Sequence, residues 1–387
     1  MYRILKLNEI SKEADAVLTQ DYQMAKEVES PDAIMLRSFN MHDYEIPDSV
    51  LAVARAGAGV NNIPIEKCAQ KGVVVFNTPG ANANAVKELV ICALLLSGRK
   101  IIPAIEWTLG LKGKGAEVGP LVEKGKSQFV GSEIVGKKLG VIGLGAIGAQ
   151  VANAAEHLGM EVIGYDPFIS VEAAWSLSRK IKRSTDLNAL FRECDFITLH
   201  IPYLPATKDT INAEAVSLMK DGVSIINCSR GELVHNGAVL EGIRSGKIAR
   251  YVTDFPCDEL IGQENVVCIP HLGASTPEAE DNCAVMAAQQ LMDFVENGNI
   301  ANSVNFPACS MPRNGRTRLT IIHRNIKDMI NKITARISEK NINIDHFINK
   351  SKGDYAYTMI DLDDEIPASI VGELEQIDGV IRIRLIH

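Results

Sequence analysis

At 387 residues the chain is long enough for two or three domains of ~100–200 residues each. Apolar residues make up 46% and aromatics only 5%, so any core is built of Val, Ile, Leu and Ala, the mixture that suits parallel strands covered by helices. A net charge of −8 leaves no excess of Lys or Arg to neutralise a duplex, which argues against a nucleic-acid partner, and no apolar run approaches the ~20 residues that span a bilayer. The eight cysteines (68, 92, 194, 228, 257, 268, 283 and 309) form no C-x-x-C. The N-terminus opens directly into a strand-like run. Together these predict reduced, mostly buried thiols in a cytoplasmic protein, and no metal site.

Residues 2–5, 33–36, 51–54 and 73–76 read as buried strands among helical or turn segments. Apolar periodicity predicts one long helix over 85–106. The Gly- and Lys-rich stretch 110–127 has no periodicity and reads as a functional or mobile loop, with Lys126 at its end more readily a solvated lysine than a ligand. From residue 138 strand and helix alternate, with strands at 139–142, 161–165, 196–200, 224–227, 250–253 and 266–269. This predicts an α/β, doubly wound Rossmann-type sheet. A helix follows over 278–296. The segment 302–316 reads as a linker. The tail reads βαββαβ, with strands at 318–323, 343–350, 355–362 and 380–386 and helices at 327–340 and 368–377. The expected domains are 1–90 completed by 277–300, then 91–276, the linker 301–316, and 317–387.

The hexapeptide Gly143-Leu144-Gly145-Ala146-Ile147-Gly148 is G-x-G-x-x-G between a strand and a helix. A glycine turn in an ordinary βαβ unit is the bland alternative; the strand, helix and acid in register favour a dinucleotide. Gly143 allows the tight turn, Gly145 the approach of a pyrophosphate, and Gly148 close packing of helix on strand. The helix N-terminus favours the phosphates. Asp166 ends the next strand, where its carboxylate can accept both ribose hydroxyls and repel a 2′-phosphate. NAD is therefore the expected cofactor.

Three later strand ends carry polar residues: Asn227-Cys228-Ser229-Arg230-Gly231, the loop from Asp254 to Glu259, and Pro270-His271-Leu272-Gly273-Ala274-Ser275. Singly, each reads as an ion pair, a solvated acid or a cap. Jointly they supply what hydride transfer from an α-hydroxy acid needs. His271 takes the hydroxyl proton, Glu259 holds the histidine and favours its charged form, and Arg230 grips the carboxylate. Earlier in the chain, the loop Gly57-Ala58-Gly59-Val60 can aim N–H groups at a carboxylate, Arg55 flanks it, and Arg37-Ser38 ends a neighbouring strand.

The segments Cys228-Ser229-Arg230-Gly231-Glu232-Leu233-Val234, 254–259 and 270–276 resemble the D-isomer-specific 2-hydroxyacid dehydrogenases, from Arg37 to the C-terminal domain. The resemblance implies a flavodoxin-like catalytic domain beside the NAD domain, an active site in the cleft between them, and Arg230, Glu259 and His271 as catalytic triad. It implies cofactor contacts at Thr78, Gly143, Gly145, Ala146, Ile147, Gly148, Asp166, Ile201, Cys228, Ser229, Arg230, Asp254, His271, Gly273 and Ala274. The family usually carries Arg where this chain has Ala146. Substrate contacts are implied at Arg37, Ser38, Arg55, Gly57, Ala58, Gly59, Val60 and Asn82, the arginines meeting a phosphate. The implied reaction is oxidation of 3-phospho-D-glycerate, the first step of L-serine biosynthesis. A hydroxypyruvate or glyoxylate reductase, and an NAD-sensing corepressor-like scaffold, stand as alternatives. The tail resembles an ACT domain, which implies a homodimer or homotetramer and an L-serine effector site of His323, Asn325 and Asn343 held across a domain dimer; a domain that only dimerises is the alternative. Lys327-Asp328 stands where many such domains have Pro-Gly.

Overall fold

The computed structural model describes residues 1–314, 317–364 and 368–387; Arg316, where the expected linker ends, lies outside them. The chain divides into two compact units, 1–82 with 277–387, and 83–276. The division precedes residue 83 rather than residue 91, because the helix Ala83–Gly98 packs on the helix Ala146–His157 and on the sheet of the second unit.

In the first unit, β1 (Tyr2–Lys6), β2 (Tyr22–Ala25), β3 (Ala33–Leu36), β4 (Ala52–Arg55) and β5 (Val74–Phe76) form a parallel sheet in the order β2-β1-β3-β4-β5. This is the flavodoxin-like order, with its switch point between β1 and β3. β2 escapes the sequence reading because it is short and half-exposed. The helix Pro277–Asn297 covers one face of this sheet. Its buried residues Ala284, Ala287, Ala288, Leu291 and Phe294 recur at helical spacing. The alanines let the helix lie close to β3 and β4, and Phe294 meets Phe76 edge-on at 5.6 Å.

The expected linker is not a free connection. Asn305 is buried, accepts from Val75 N and donates to Val73 O, both at 2.9 Å. Ser303 bridges antiparallel to Phe76, and Phe306 is fully buried. Two prolines and low periodicity conceal this, since a single inserted Asn–Phe pair anchors the segment.

In the second unit, β6 (Lys138–Ile142), β7 (Glu161–Tyr165), β8 (Lys182–Arg183), β9 (Phe196–Leu199), β10 (Val223–Asn227), β11 (Ile248–Thr253) and β12 (Val266–Cys268) make a seven-stranded parallel sheet. Its order is β12-β11-β10-β9-β6-β7-β8, so the winding reverses between β6 and β9. In such sheets ligands bind beyond the carboxyl ends of the strands at that reversal.

Two expectations fail here. The single helix over 85–106 is two, Ala83–Gly98 and Ile101–Leu109. The buried Arg250 guanidinium donates to Leu96 O at 3.2 Å and Arg99 O at 3.3 Å, and Ser132 N takes Gly98 O at 2.8 Å. Those carbonyls are satisfied outside the helix, so the chain can turn there. The stretch 110–127 is mostly helical, with a 3-10 turn at Gly115–Glu117 and a helix over Val118–Gly125. Trp107 packs on Phe129 at 5.5 Å and lies against Gly125, where a Cβ would come within 2.5 Å of the indole. Lys126 pairs with Glu123 on the surface.

The remaining residues of the first unit form an antiparallel sheet of β13 (Thr317–Arg324), β14 (Ile344–Lys352), β15 (Tyr355–Leu362) and β16 (Val380–Ile386), in the order β14-β15-β13-β16. With the helices Met329–Ser338 and Ala368–Glu375 this is the expected βαββαβ. It is fastened to the rest of its unit. Arg384 donates to Phe294 O at 3.1 Å and Val295 O at 2.7 Å, Tyr357 Oη to Gly298 O at 2.7 Å, and Tyr355 Oη to Glu66 at 2.7 Å.

Candidate functional site

The turn after β6 stands at the reversal of the second sheet. Gly143 has φ +91°, and a Cβ there would lie 2.5 Å from His200 O, at the end of the adjacent β9. At Gly148 a Cβ would fall 1.9 Å from Gly143 O. Both glycines are therefore dictated by close backbone approach. Gly145 differs: nothing lies within 4 Å of its Cβ position. It caps the helix Ala146–His157 without a side chain, so no protein side chain bonds the first N–H groups. Ala146 is exposed and Ile147 half-buried behind it. Burial pushes the His200 imidazole down to about 4, so a neutral ring, 3.0 Å from Thr198 Oγ1, underlies the turn.

Asp166 closes the turn from the other side. Its Oδ2 accepts from Leu144 N and its Oδ1 from Phe168 N, both at 2.8 Å. Each oxygen keeps a second lone pair for an incoming hydroxyl. The sequence spacing foresees the acid but not its tie to the glycine turn.

Ser229, after β10, donates from Oγ to Ile201 O at 2.7 Å. Arg230 is exposed, and its Nη1 donates to Ser229 O at 2.6 Å. Burial pushes the Cys228 thiol up, leaving it an inert wall of the strand end. Asp254, after β11, is 1% exposed, and neither carboxylate oxygen accepts a hydrogen bond from the protein. Burial pushes its carboxyl up, opposed by nearby His271 and Arg230. Gly273 lies beside it, its Cβ position 3.5 Å from Asp254 Oδ2. Ala274 follows, half-buried.

The exposed His271 ring meets Phe255 at 4.9 Å. The expected Glu259–His271 hydrogen bond is not formed: Glu259 accepts from Asn236 Nδ2 at 3.4 Å. The loop 256–264 is largely solvated, so the glutamate follows its nearest polar neighbour. Asn236 carries no signal in the sequence that marks it as that neighbour.

In the first unit, Arg37 follows β3 and Arg55 ends the adjacent β4. Arg37 N donates to Asn8 Oδ1 at 2.9 Å across the switch point, and Arg55 Nε donates to Arg37 O at 3.0 Å. The Arg55 guanidinium lies over the glycine loop, 2.6 Å from a Cβ position at Gly57 and 3.6 Å from one at Gly59. Asn77 Nδ2 donates to Ala58 O at 2.7 Å, and Ile63 N to Val60 O at 3.1 Å, fixing the loop's far side. Ser38 Oγ accepts from Asn8 at 3.4 Å. Thr78 Oγ1 and Asn82 Oδ1 are buried and close no hydrogen bond; the Cys283 thiol is the polar neighbour of Thr78. Arg37 itself is ion-paired at 2.5 Å with Glu280, a residue the sequence reading passed over.

Within one chain the three C-terminal candidates lie in two places. His323, Asn325 and Asn349 line one hollow, with His323 Nε2 2.9 Å from Thr358 Oγ1 and 3.2 Å from Asn349 Nδ2. Asn343 is elsewhere, bonded to Asp363 before β14. Among the described residues no cluster of His, Cys, Asp or Glu could hold a metal ion, and no helix is long and apolar enough to cross a membrane.

Residues 99–273 match the family described as D-isomer specific 2-hydroxyacid dehydrogenase, NAD binding domain. The chain belongs to these NAD-dependent oxidoreductases. It is 33% identical over 355 residues to the D-3-phosphoglycerate dehydrogenase of Haemophilus influenzae, spanning 89% of this chain and 83% of that one. It is 33% identical over 330 residues to that of Methanocaldococcus jannaschii, covering 83% of this chain but 60% of the relative. Among solved structures, D-2-hydroxyisocaproate dehydrogenase shares the fold with a TM-score of 0.61 at 24% identity, over 79% of this chain and 100% of that one.

The residues fit NAD. A cradle open at Gly145 with an uncapped helix start suits a pyrophosphate, the Asp166 carboxylate a ribose, and the unpartnered oxygens of Asp254 a carboxamide donor. The two glycines are separable by experiment. Gly148→Ala should lower the unfolding midpoint as well as NAD affinity, because its Cβ meets backbone. Gly145→Ala should leave the midpoint in place and weaken NAD at least tenfold, about 1.4 kcal/mol. Thermal unfolding with and without NAD checks both.

Proposed function

We propose that the chain oxidises 3-phospho-D-glycerate to 3-phosphohydroxypyruvate with NAD, the first step of L-serine biosynthesis. The observation that carries this reading is the convergence of Arg37 and Arg55 at the carboxyl ends of β3 and β4, beside a glycine loop whose backbone is fixed. Planar guanidinium groups match phosphate geometry, so a phosphorylated acid is favoured over a bare one. The likeness to D-3-phosphoglycerate dehydrogenases over most of the chain supports the same substrate.

NAD, held at the glycine turn and Asp166, would supply the acceptor for the hydride released from C2 of the hydroxy acid. His271 takes the hydroxyl proton as that bond breaks, acting as general base. Arg230 grips the substrate carboxylate and fixes C2. Glu259 serves as the acid that orients His271 on substrate binding, exchanging its Asn236 bond for one to the imidazole. The half-exposed backbone of Gly57, Ala58, Gly59 and Val60, with Asn82, completes the anion grip.

The C-terminal hollow is proposed to take L-serine on His323 and Asn325, beside Asn349, with Asn343 contributed across a domain dimer. Initial rates with 3-phospho-D-glycerate and NAD, with and without L-serine and with the product removed, test both readings. Phosphoglycerate-dependent NADH formation is expected, and its absence refutes the substrate. Rates that L-serine leaves unmoved refute the effector.

A further inference from the structure

We infer that Glu280 is a positioning residue for substrate phosphate, a built-in counter-ion that holds Arg37 and lowers its affinity for anions. This rests on the reading of Arg37 as a phosphate ligand. Glu280 stands in the first turn of the helix Pro277–Asn297, and its Oε1 lies 2.5 Å from Arg37 Nη1. The side chains are 37% and 42% exposed, so a solute anion can reach the pair.

The surroundings fix this arrangement from both sides. Arg37's backbone N–H is held by Asn8 and its carbonyl by Arg55, so the guanidinium starts from a set point. On the helix, the neighbouring Asp281 is held by Ser11 Oγ at 2.5 Å. Helix N-termini favour carboxylates, so Glu280 is also stabilised where it stands.

A phosphate that takes the Nη1 edge of Arg37 must displace Glu280 or accept its repulsion. Either way the cost falls only on ligands that reach Arg37. A 2-hydroxy acid without the phosphate, held through its carboxylate elsewhere, does not meet it. Glu280 therefore sets how tightly the phosphate end is held, and with it how readily the phosphorylated product leaves.

Glu280→Gln keeps the shape and removes the charge. Initial-rate kinetics should be run with 3-phospho-D-glycerate, with D-glycerate as substrate or competitive inhibitor, and with inorganic phosphate as inhibitor. The KM for 3-phospho-D-glycerate should fall about threefold to fivefold, the scale of an exposed ion pair. The inhibition constant of inorganic phosphate should fall in proportion, and the constant for D-glycerate should hold. Adding Arg37→Ala should abolish the gain. An unchanged or raised KM for the phosphorylated substrate, or an equal fall for D-glycerate, overturns the inference. The two readings fail separately. If Arg37→Ala alone leaves that KM unmoved, Arg37 is not the phosphate ligand. If it raises KM while Glu280→Gln does not lower it, only the role of Glu280 is lost.

Discussion

Replacing His271 by Ala should lower kcat by about 10²–10⁴-fold, the usual contribution of a positioned acid or base. The KM for 3-phospho-D-glycerate should move far less, because the proposed reading assigns the substrate's phosphate to Arg37 and Arg55 rather than to His271. The His271 ring is exposed and packs on Phe255 at 4.9 Å. Its loss therefore leaves little buried surface uncovered, and the unfolding midpoint should hold. A kcat loss without a stability loss is the signature of a group acting on the reacting atoms rather than on the fold. Arg230→Ala should differ in pattern, raising KM along with lowering kcat, since carboxylate binding persists from ground state to transition state. Steady-state rates beside thermal unfolding of each variant decide this. A His271→Ala enzyme that keeps more than about a tenth of wild-type kcat means that another group moves the proton.

What the sequence discloses follows from how local each determinant is. The glycine turn is legible because Gly143 and Gly148 obey contacts made within one βαβ unit, and periodicity marks the strand and helix around them. Most strands of both parallel sheets are legible for the same reason, as short apolar runs, whereas the half-exposed β2 and the two-residue β8 are not. Partnerships are not legible. Nothing near Glu259 announces that Asn236, on another element, is its hydrogen-bond donor. Likewise Glu280 looks like one more acid on an amphipathic helix until the fold sets it against Arg37. Asn349 and Asn343 sit on the same hairpin, and only the pairing register of β14 with β15 puts Asn349 beside Thr358 and His323. The helix break near residue 99 depends on Arg250, far along the chain, so apolar periodicity alone runs straight through it.

The largest stability effect should come from Arg318, at the start of the C-terminal sheet. Its side chain is 1% exposed and that of Asp361 is fully buried. Nε donates to Asp361 Oδ1 at 2.6 Å and Nη2 to Asp361 Oδ2 at 2.7 Å. Nη1 donates to Asn297 O at 2.8 Å and Met311 O at 3.0 Å, and Nη2 also to Pro312 O at 2.9 Å. All five guanidinium N–H groups are thus used. They join β13 and β15 to the end of the 277–297 helix and to the segment that follows it. Arg318→Met should cost about 3–5 kcal/mol, because it takes two guanidinium donors from a buried carboxylate and strips three carbonyls. Adding Asp361→Leu removes that carboxylate and should recover part of the loss. It cannot recover all of it, since the carbonyls of Asn297, Met311 and Pro312 and the N–H of Asn314, which Asp361 accepts at 3.2 Å, still lose their partners. Urea unfolding of the two variants measures both quantities. Full recovery in the double variant assigns the whole effect to the buried Asp361 carboxylate, whereas an unchanged midpoint in Arg318→Met contradicts the network altogether. NADH formation should fall with the folded fraction and no further, because Arg318 touches none of the residues assigned to substrate or cofactor.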